Sequence, residues 1–216
     1  MILIKKLNNS GMTLVELLVT FSLVMIMAIG IFNLVLEVRK DLDEKEVMKN
    51  YTTYSNDINN KIHYDLIRNK PFVIAYKNSE TDNWFCKYSD NSNCNVTNDI
   101  LSVTYKNKSK DSFSLNSLCT IYPCAIYGYL DKNNEISFKA ISINKNIDNT
   151  NKKYGIKYND TFESVPDEKD IDFKKDDTKI EIDDKGFFVI NISFFMKGNN
   201  RDFGFKIAYP FIKQVQ

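Results

Sequence analysis

Apolar residues are distributed along this chain in three different ways. From Leu17 to Leu36 twenty residues follow one another without a charge; at about 1.5 Å rise per residue, such a helix is roughly 30 Å long, the thickness of bilayer hydrocarbon. Further on the apolar positions thin to Val47, Tyr51, Tyr54, Ile58, Ile62 and Leu66, spaced by three or four, which places them on one face of a helix. Glu44, Lys45, Asp57, Lys61 and Arg68 fall on the other faces, and Pro71 ends the pattern. After Pro71 the apolar runs are short and β-rich: 72–76, 100–105, 125–130, 136–143, 180–182, 187–196 and 203–209. Turn-forming residues at 131–134, 183–186 and 198–202 each join two of these runs and predict hairpins. Residues 144–177 read as a long, polar, partly mobile insertion.

The pattern predicts an α+β fold in which one long helix, 12–70, packs on an antiparallel β-sheet domain, 71–216. The helix has a transmembrane half, about 14–36, and an amphipathic half. A composition of 43% hydrophobic and 26% charged residues excludes disorder throughout. Lys5 and Lys6 stand before the apolar run with no acid among the first eleven residues. The remainder is close to neutral, so no bulk attraction to nucleic acid is expected. Mixed-sign stretches such as 167–184 predict a solvated surface.

Four cysteines, Cys86, Cys94, Cys119 and Cys124, all follow the apolar run, where an exported domain meets oxidising conditions. Two disulfides are the natural expectation. Of three connectivities, the local one, Cys86 with Cys94 and Cys119 with Cys124, closes short loops; free thiols and a zinc site are the competing readings.

A secretory signal would be cut at a small-x-small site such as Ala28-Ile29-Gly30, yet the apolar run continues through Leu36. A plain signal anchor, with Lys5 and Lys6 keeping the N-terminus cytoplasmic, explains everything except Gly11 and Glu16. A carboxylate in a transmembrane helix costs about 2.5–3.5 kcal/mol on insertion scales and calls for a partner. Cleavage after Gly11 would create one, because the new α-amino group at Met12 can neutralise Glu16 of a neighbouring subunit. Such a pair penalises every misaligned arrangement, so it fixes the stagger of packed helices more than it adds stability.

Lys5-Lys6, Gly11 and the run Met12-Thr13-Leu14-Val15-Glu16-Leu17-Leu18 together resemble the prepilin motif of type IV pilins and type II secretion pseudopilins. The resemblance covers about the first 40 residues. It implies a cleaved leader, 1–11, a prepilin peptidase cutting between Gly11 and Met12 on the cytoplasmic side, N-methylation of Met12, and an assembly role for Glu16. It further implies a single-pass membrane precursor later exported into a cell-surface pilus or pseudopilus, with other pilin or pseudopilin subunits and an inner-membrane assembly platform as partners. Met12 stands where many members have Phe, and the helix proline of many major pilins is absent, leaving Gly30 as the soft point of the segment. The large globular part, and cysteines that do not bracket the C-terminal end, point to a minor subunit, nearest the W-type minor pilins and J-type pseudopilins. A membrane-anchored adhesion domain that never polymerises is the alternative. His63 beside Ile62 reads as a structural histidine, and with neither phosphate-binding loop nor paired-carboxylate motif, an enzyme, a cofactor and a metal are not expected.

Overall fold

The computed structural model describes residues 13–79, 81–147, 152–158, 161–164, 171–174, 177–196 and 201–212. Its α+β architecture is the one the hydrophobic pattern predicts: a helix α1, Leu14–Asn69, followed among the described residues by thirteen antiparallel strands in three sheets. The chain divides into two compact units, one ending at Met48 and the other beginning at Lys49.

In the first unit α1 runs unbroken through Gly30. Every residue from Thr13 to Asp43 is exposed, including Leu17, Phe21, Ile26, Ile31 and Phe32. A helical stretch such as 17–36, uncharged and exposed on all sides, is what a membrane span looks like in the absence of lipid.

The second unit has a core of its own. In its part of α1 the buried positions are Tyr51, Ile58, Ile62 and Leu66, the stripe expected from the three-and-four spacing. Full burial of side chains such as Ile62 and Leu66 contributes about 1.5–3 kcal/mol each. The helix stops where Lys70 turns to φ 49° ahead of Pro71.

The central sheet has six strands in the order β2 (Phe85–Tyr88), β1 (Val73–Lys77), β6 (Cys124–Leu130), β7 (Ile136–Ile147), β8 (Lys152–Tyr158), β9 (Thr161–Ser164). Ile74 lies opposite Tyr127, which lies opposite Lys139, so these three side chains share one face. The Tyr127 hydroxyl donates to Asp65 of α1, which identifies this face as the one covered by the helix. On the opposite face Val73, Ala75, Cys124 and Ile126 form a cluster with Leu101, Val103 and Leu115. Those residues come from the three-stranded sheet β3 (Asn95–Thr97), β4 (Ile100–Tyr105), β5 (Lys108–Ser114) and the short turn Leu115–Ser117. Strand β1 is therefore covered on both faces, which explains its nearly unbroken burial. Gly128 is required in β6: a Cβ there would lie 2.6 Å from Val73 Cγ1 and 3.0 Å from Phe138 Cε1.

In the third sheet β12 (Phe187–Met196) pairs with β10 (Ile171–Phe173), β11 (Lys179–Ile182) and, over its full length, β13 (Arg201–Pro210). Tyr51 of α1 packs edge-on against Phe203 at 4.5 Å and Phe194 at 5.4 Å.

The hairpins at 131–134 and 183–186 are present. Asp131 and Asp183 each accept backbone N–H groups across their turns, and Gly186 takes φ +82°. β12 and β13 pair as expected, while most of the turn joining them lies outside the described residues. The expected insertion over 144–177 is corrected: β7 extends to Ile147, and β8, β9 and β10 follow within it. The run Lys152–Tyr158 pairs along its whole length with β7 through backbone hydrogen bonds, which polar side chains do not prevent.

Candidate functional site

Of the residues the sequence singles out, Gly11 and Met12 lie outside the described residues. Glu16 sits in the first turn of α1. Its Oε2 accepts hydrogen bonds from Thr13 N at 2.9 Å and Thr13 Oγ1 at 3.0 Å, while Glu16 N donates to Thr13 Oγ1 at 3.3 Å. This reciprocal arrangement is a capping box: the Thr at the N-cap and the Glu three residues on each satisfy the other's amide, and an N-cap contributes roughly 0.5–2 kcal/mol. Sequence reasoning missed Thr13, although Thr-x-x-Glu before an apolar run is its recognised signal. The carboxylate that insertion penalises thus already has two donors within its own chain. Thr20 and Ser22 in the next turn return their hydroxyls to the carbonyls of Glu16 and Leu18, so these polar side chains add no unpaired donor to the apolar segment.

The cysteines pair locally, Cys86 with Cys94 and Cys119 with Cys124, and no cysteine is free. The first disulfide ties β2 to the segment entering β3; the second closes the loop that leads into β6. Next to them Lys77, 8% exposed, points its ammonium at the Tyr122 ring, 4.9 Å from the centroid, and at Trp84, 5.9 Å. Trp84 in turn donates to Asp99 at 2.8 Å. Among the described residues no group of three or more His, Cys, Asp or Glu side chains is placed to hold a metal ion.

A second polar cluster, invisible in sequence, lies between α1 and the central sheet. Asp65 accepts hydrogen bonds from Tyr127 and, at 2.9 and 3.1 Å, from Lys139; the Tyr127 and Tyr158 hydroxyls are 2.9 Å apart. Burial acts to raise the Asp65 carboxyl, but hydrogen bonds from Tyr127, Tyr158 and Lys139 outweigh it and hold the group below its ordinary value. Burial, followed by the hydrogen bond to Asp65, pushes the Tyr127 hydroxyl far up. Nearby Lys61 pairs with Glu163 at 2.7 Å, and Tyr54 donates to the Glu163 carbonyl at 2.8 Å, which fastens β9 to the helix. His63 stands edge-on to Tyr209, 6.2 Å between centroids, in a packing role.

Thr13, Glu16 and the all-apolar helix behind them form one continuous element, and comparison with known families bears on this element. Residues 6–32 match the family model described as the prokaryotic N-terminal methylation motif. The chain is consistent with the type IV pilin and pseudopilin family. The match takes in Gly11, Met12, Glu16 and the apolar run as far as Phe32. No curated protein and no solved structure matches the chain. The pilin-type motif together with the long apolar helix fits membrane anchoring.

Proposed function

We propose that this protein is a structural minor subunit of a type IV pilus or pseudopilus. In this reading it is made as a precursor, cut between Gly11 and Met12, methylated on the Met12 amine, and drawn from the membrane into a fibre through residues 12–45. The observation that carries the reading is the stretch of α1 as far as Asp43, exposed on every side, with a carboxylate in its first turn and a methylation motif that covers it as far as residue 32. Such a helix has two ways to bury its apolar surface, lipid and copies of itself in neighbouring subunits, and a fibre grown from a membrane uses both in turn.

Within that reading Glu16 changes partners. In the unassembled chain Thr13 satisfies it. In the fibre the Met12 amine of a neighbour does so with a full positive charge, which makes a stronger hydrogen bond than a neutral amide or hydroxyl. The W-type minor pilins and J-type pseudopilins remain the nearest resemblance, supported by a large β-rich domain whose disulfides lie in its N-terminal half.

Mass spectrometry of native material is the test. A mature chain that begins at methylated Met12 is expected; an intact Met1 terminus, or a cut near Gly30, overturns the reading. Glu16→Ala is expected to leave membrane insertion intact and to remove the subunit from fibres, and its normal incorporation would remove the role assigned to Glu16.

A further inference from the structure

A cleft of about 530 Å3 opens between the turn after β2 and the end of β4, lined by Phe72, Tyr88, Ser89, Asp90, Thr104 and Tyr105, with Ser92 at its rim. That volume lies within the range of about 300–1,000 Å3 usual for small-ligand sites. One wall is the turn 88–92. Its backbone is held by Tyr88 N donating to Ser92 O and by Ser89 N donating to Phe72 O, both at 2.9 Å. The Cys86–Cys94 disulfide clamps its base, and Asn91 takes φ 71° at its tip. The other wall is Tyr105, whose ring lies flat on the buried Phe72 ring, 4.2 Å between centroids and 3° from parallel. The opposite ring face carries the exposed Lys106 ammonium, 5.5 Å from the centroid, a contact that a ligand entering the cleft can displace. Both walls are therefore set before a ligand arrives, which lowers the ordering cost of binding.

The polar lining has a particular character. Asp90 uses Oδ1 to accept from Ser92 N and Ser92 Oγ, and its Oδ2 takes no hydrogen bond among the described residues. The Ser92 hydroxyl, then its amide, hold the Asp90 carboxyl below its ordinary value, so the group is an ionised acceptor at neutral pH. The hydroxyls of Tyr88, Ser89 and Thr104 likewise take no partner among the described residues, and each can both donate and accept. Two ammonium groups stand by these walls: that of exposed Lys106, over the Tyr105 ring, and that of Lys87, which donates to Asn91 Oδ1 at the tip of the turn at 2.9 Å. With Lys87 already engaged by Asn91 and Lys106 resting on a ring, beside a fixed carboxylate, the lining does not suit a phosphate or an acidic sugar. An apolar ligand would leave the hydroxyls and the carboxylate unpaired, which is costly.

We propose that this cleft binds a neutral saccharide, with the C–H face of one sugar ring on Tyr105 and the sugar hydroxyls on Asp90, Tyr88, Ser89 and Thr104. A sugar ring offers what this lining lacks: a weakly positive C–H face for the electron-rich aromatic face, and hydroxyls that donate to a carboxylate while accepting from side-chain hydroxyls. The binding step needs neither cleavage at Gly11 nor assembly through Glu16, so it stands or falls apart from the fibre reading.

The test uses the full chain in nanodiscs, which keeps sugar-based detergents away from the cleft. Saturation-transfer NMR is run with a panel of neutral mono- to trisaccharides built from hexoses and N-acetylhexosamines, alongside an acidic saccharide and an unrelated peptide. At least one neutral saccharide is expected to receive saturation. Asp90→Asn is expected to weaken it by about tenfold or more, the scale of a hydrogen bond to a charged group. Tyr105→Ala is expected to abolish it and Tyr105→Phe to retain it. Tyr105 packs on a core ring, so its Ala variant is checked by thermal unfolding; Asp90 is exposed, and its variant reads the cleft even where Tyr105→Ala does not fold. Absence of saturation on every neutral sugar, binding unchanged in Asp90→Asn, or a preference for the acidic saccharide or the peptide overturns the proposal.

Discussion

α1 is one helix in two solvents. Up to Asp43 its side chains are exposed, and from Leu17 to Leu36 they carry no charge on any face; from Tyr51 its buried positions form the single stripe Tyr51, Ile58, Ile62, Leu66. Both halves obey the same rule, that apolar surface must leave water, but they satisfy it differently. The second half is completed by the chain itself, through the central sheet and the β12–β13 ribbon. The first half is left for lipid or for other helices. The polar groups follow the same division: Glu16 is met by its near neighbour Thr13, whereas Asp65 is met by Tyr127 and Lys139, which lie 62 and 74 residues away.

Charging the first half gives the largest effect. Val24→Lys with Ile31→Lys adds two centrally placed charges at about 2.5–3.5 kcal/mol each on insertion scales. The chain is expected to leave the membrane fraction while the thermal unfolding of residues 49–216 stays where it was. Loss of the domain's cooperative transition in this variant would break the division into two solvents.

Leu66→Ala makes the converse cut. Leu66 is 0% exposed, and truncating so buried a leucine costs about 2–5 kcal/mol. Chemical denaturation is expected to show that loss, while the protein still partitions into membranes. The disulfides come next. Replacing Cys119 and Cys124 together by Ala opens a loop of sequence separation 5 and is expected to cost about 2–3 kcal/mol on the chain-entropy estimate. Unfolding under non-reducing conditions measures it, and an unchanged midpoint would mean that the loop is held by packing alone.

The two halves also differed in how well they could be read from sequence. Residues 17–36 carry a signal in every position, and the 47–66 stripe repeats over several turns, so both were legible without a structure. β12 was legible too, because alternate positions Phe188, Ile190, Ile192, Phe194 and Met196 are all buried. Two of the strands that escaped, β2 and β5, bury too little to alternate visibly. β2 begins with Phe85 at 53% exposed and β5 reads Lys-Ser-Lys-Asp-Ser-Phe-Ser; among the described residues β2 pairs with β1 and β5 with β4, each on one side. Such strands are fixed by backbone bonds to a neighbour, which no local pattern records. The same holds for sites. Glu16 stood out because a charge at the head of an apolar run needs a reason, whereas Asp65, Tyr127 and Lys139 are ordinary residues until the fold brings them together.

Asp65→Asn is expected to give the smallest effect and the most specific one. It leaves the Lys139 ammonium, 24% exposed, without its carboxylate, and is expected to cost about 1–3 kcal/mol. Its pH dependence separates this loss from general damage. The native carboxyl sits below its ordinary value of 3.8, so in acid the unfolded chain binds the proton more readily than the folded one. The contribution to stability is accordingly complete above the unfolded value and is lost as pH falls through the lower native one. Denaturation midpoints of the two proteins should run parallel from pH 5 to 8 at a constant offset, then converge below about pH 4 as the wild type loses what the variant never had. Curves that stay parallel into acid would show that Asp65 contributes by shape rather than by charge, and the second half of the helix would then be fastened to the sheet by its apolar stripe and the contacts to Glu163.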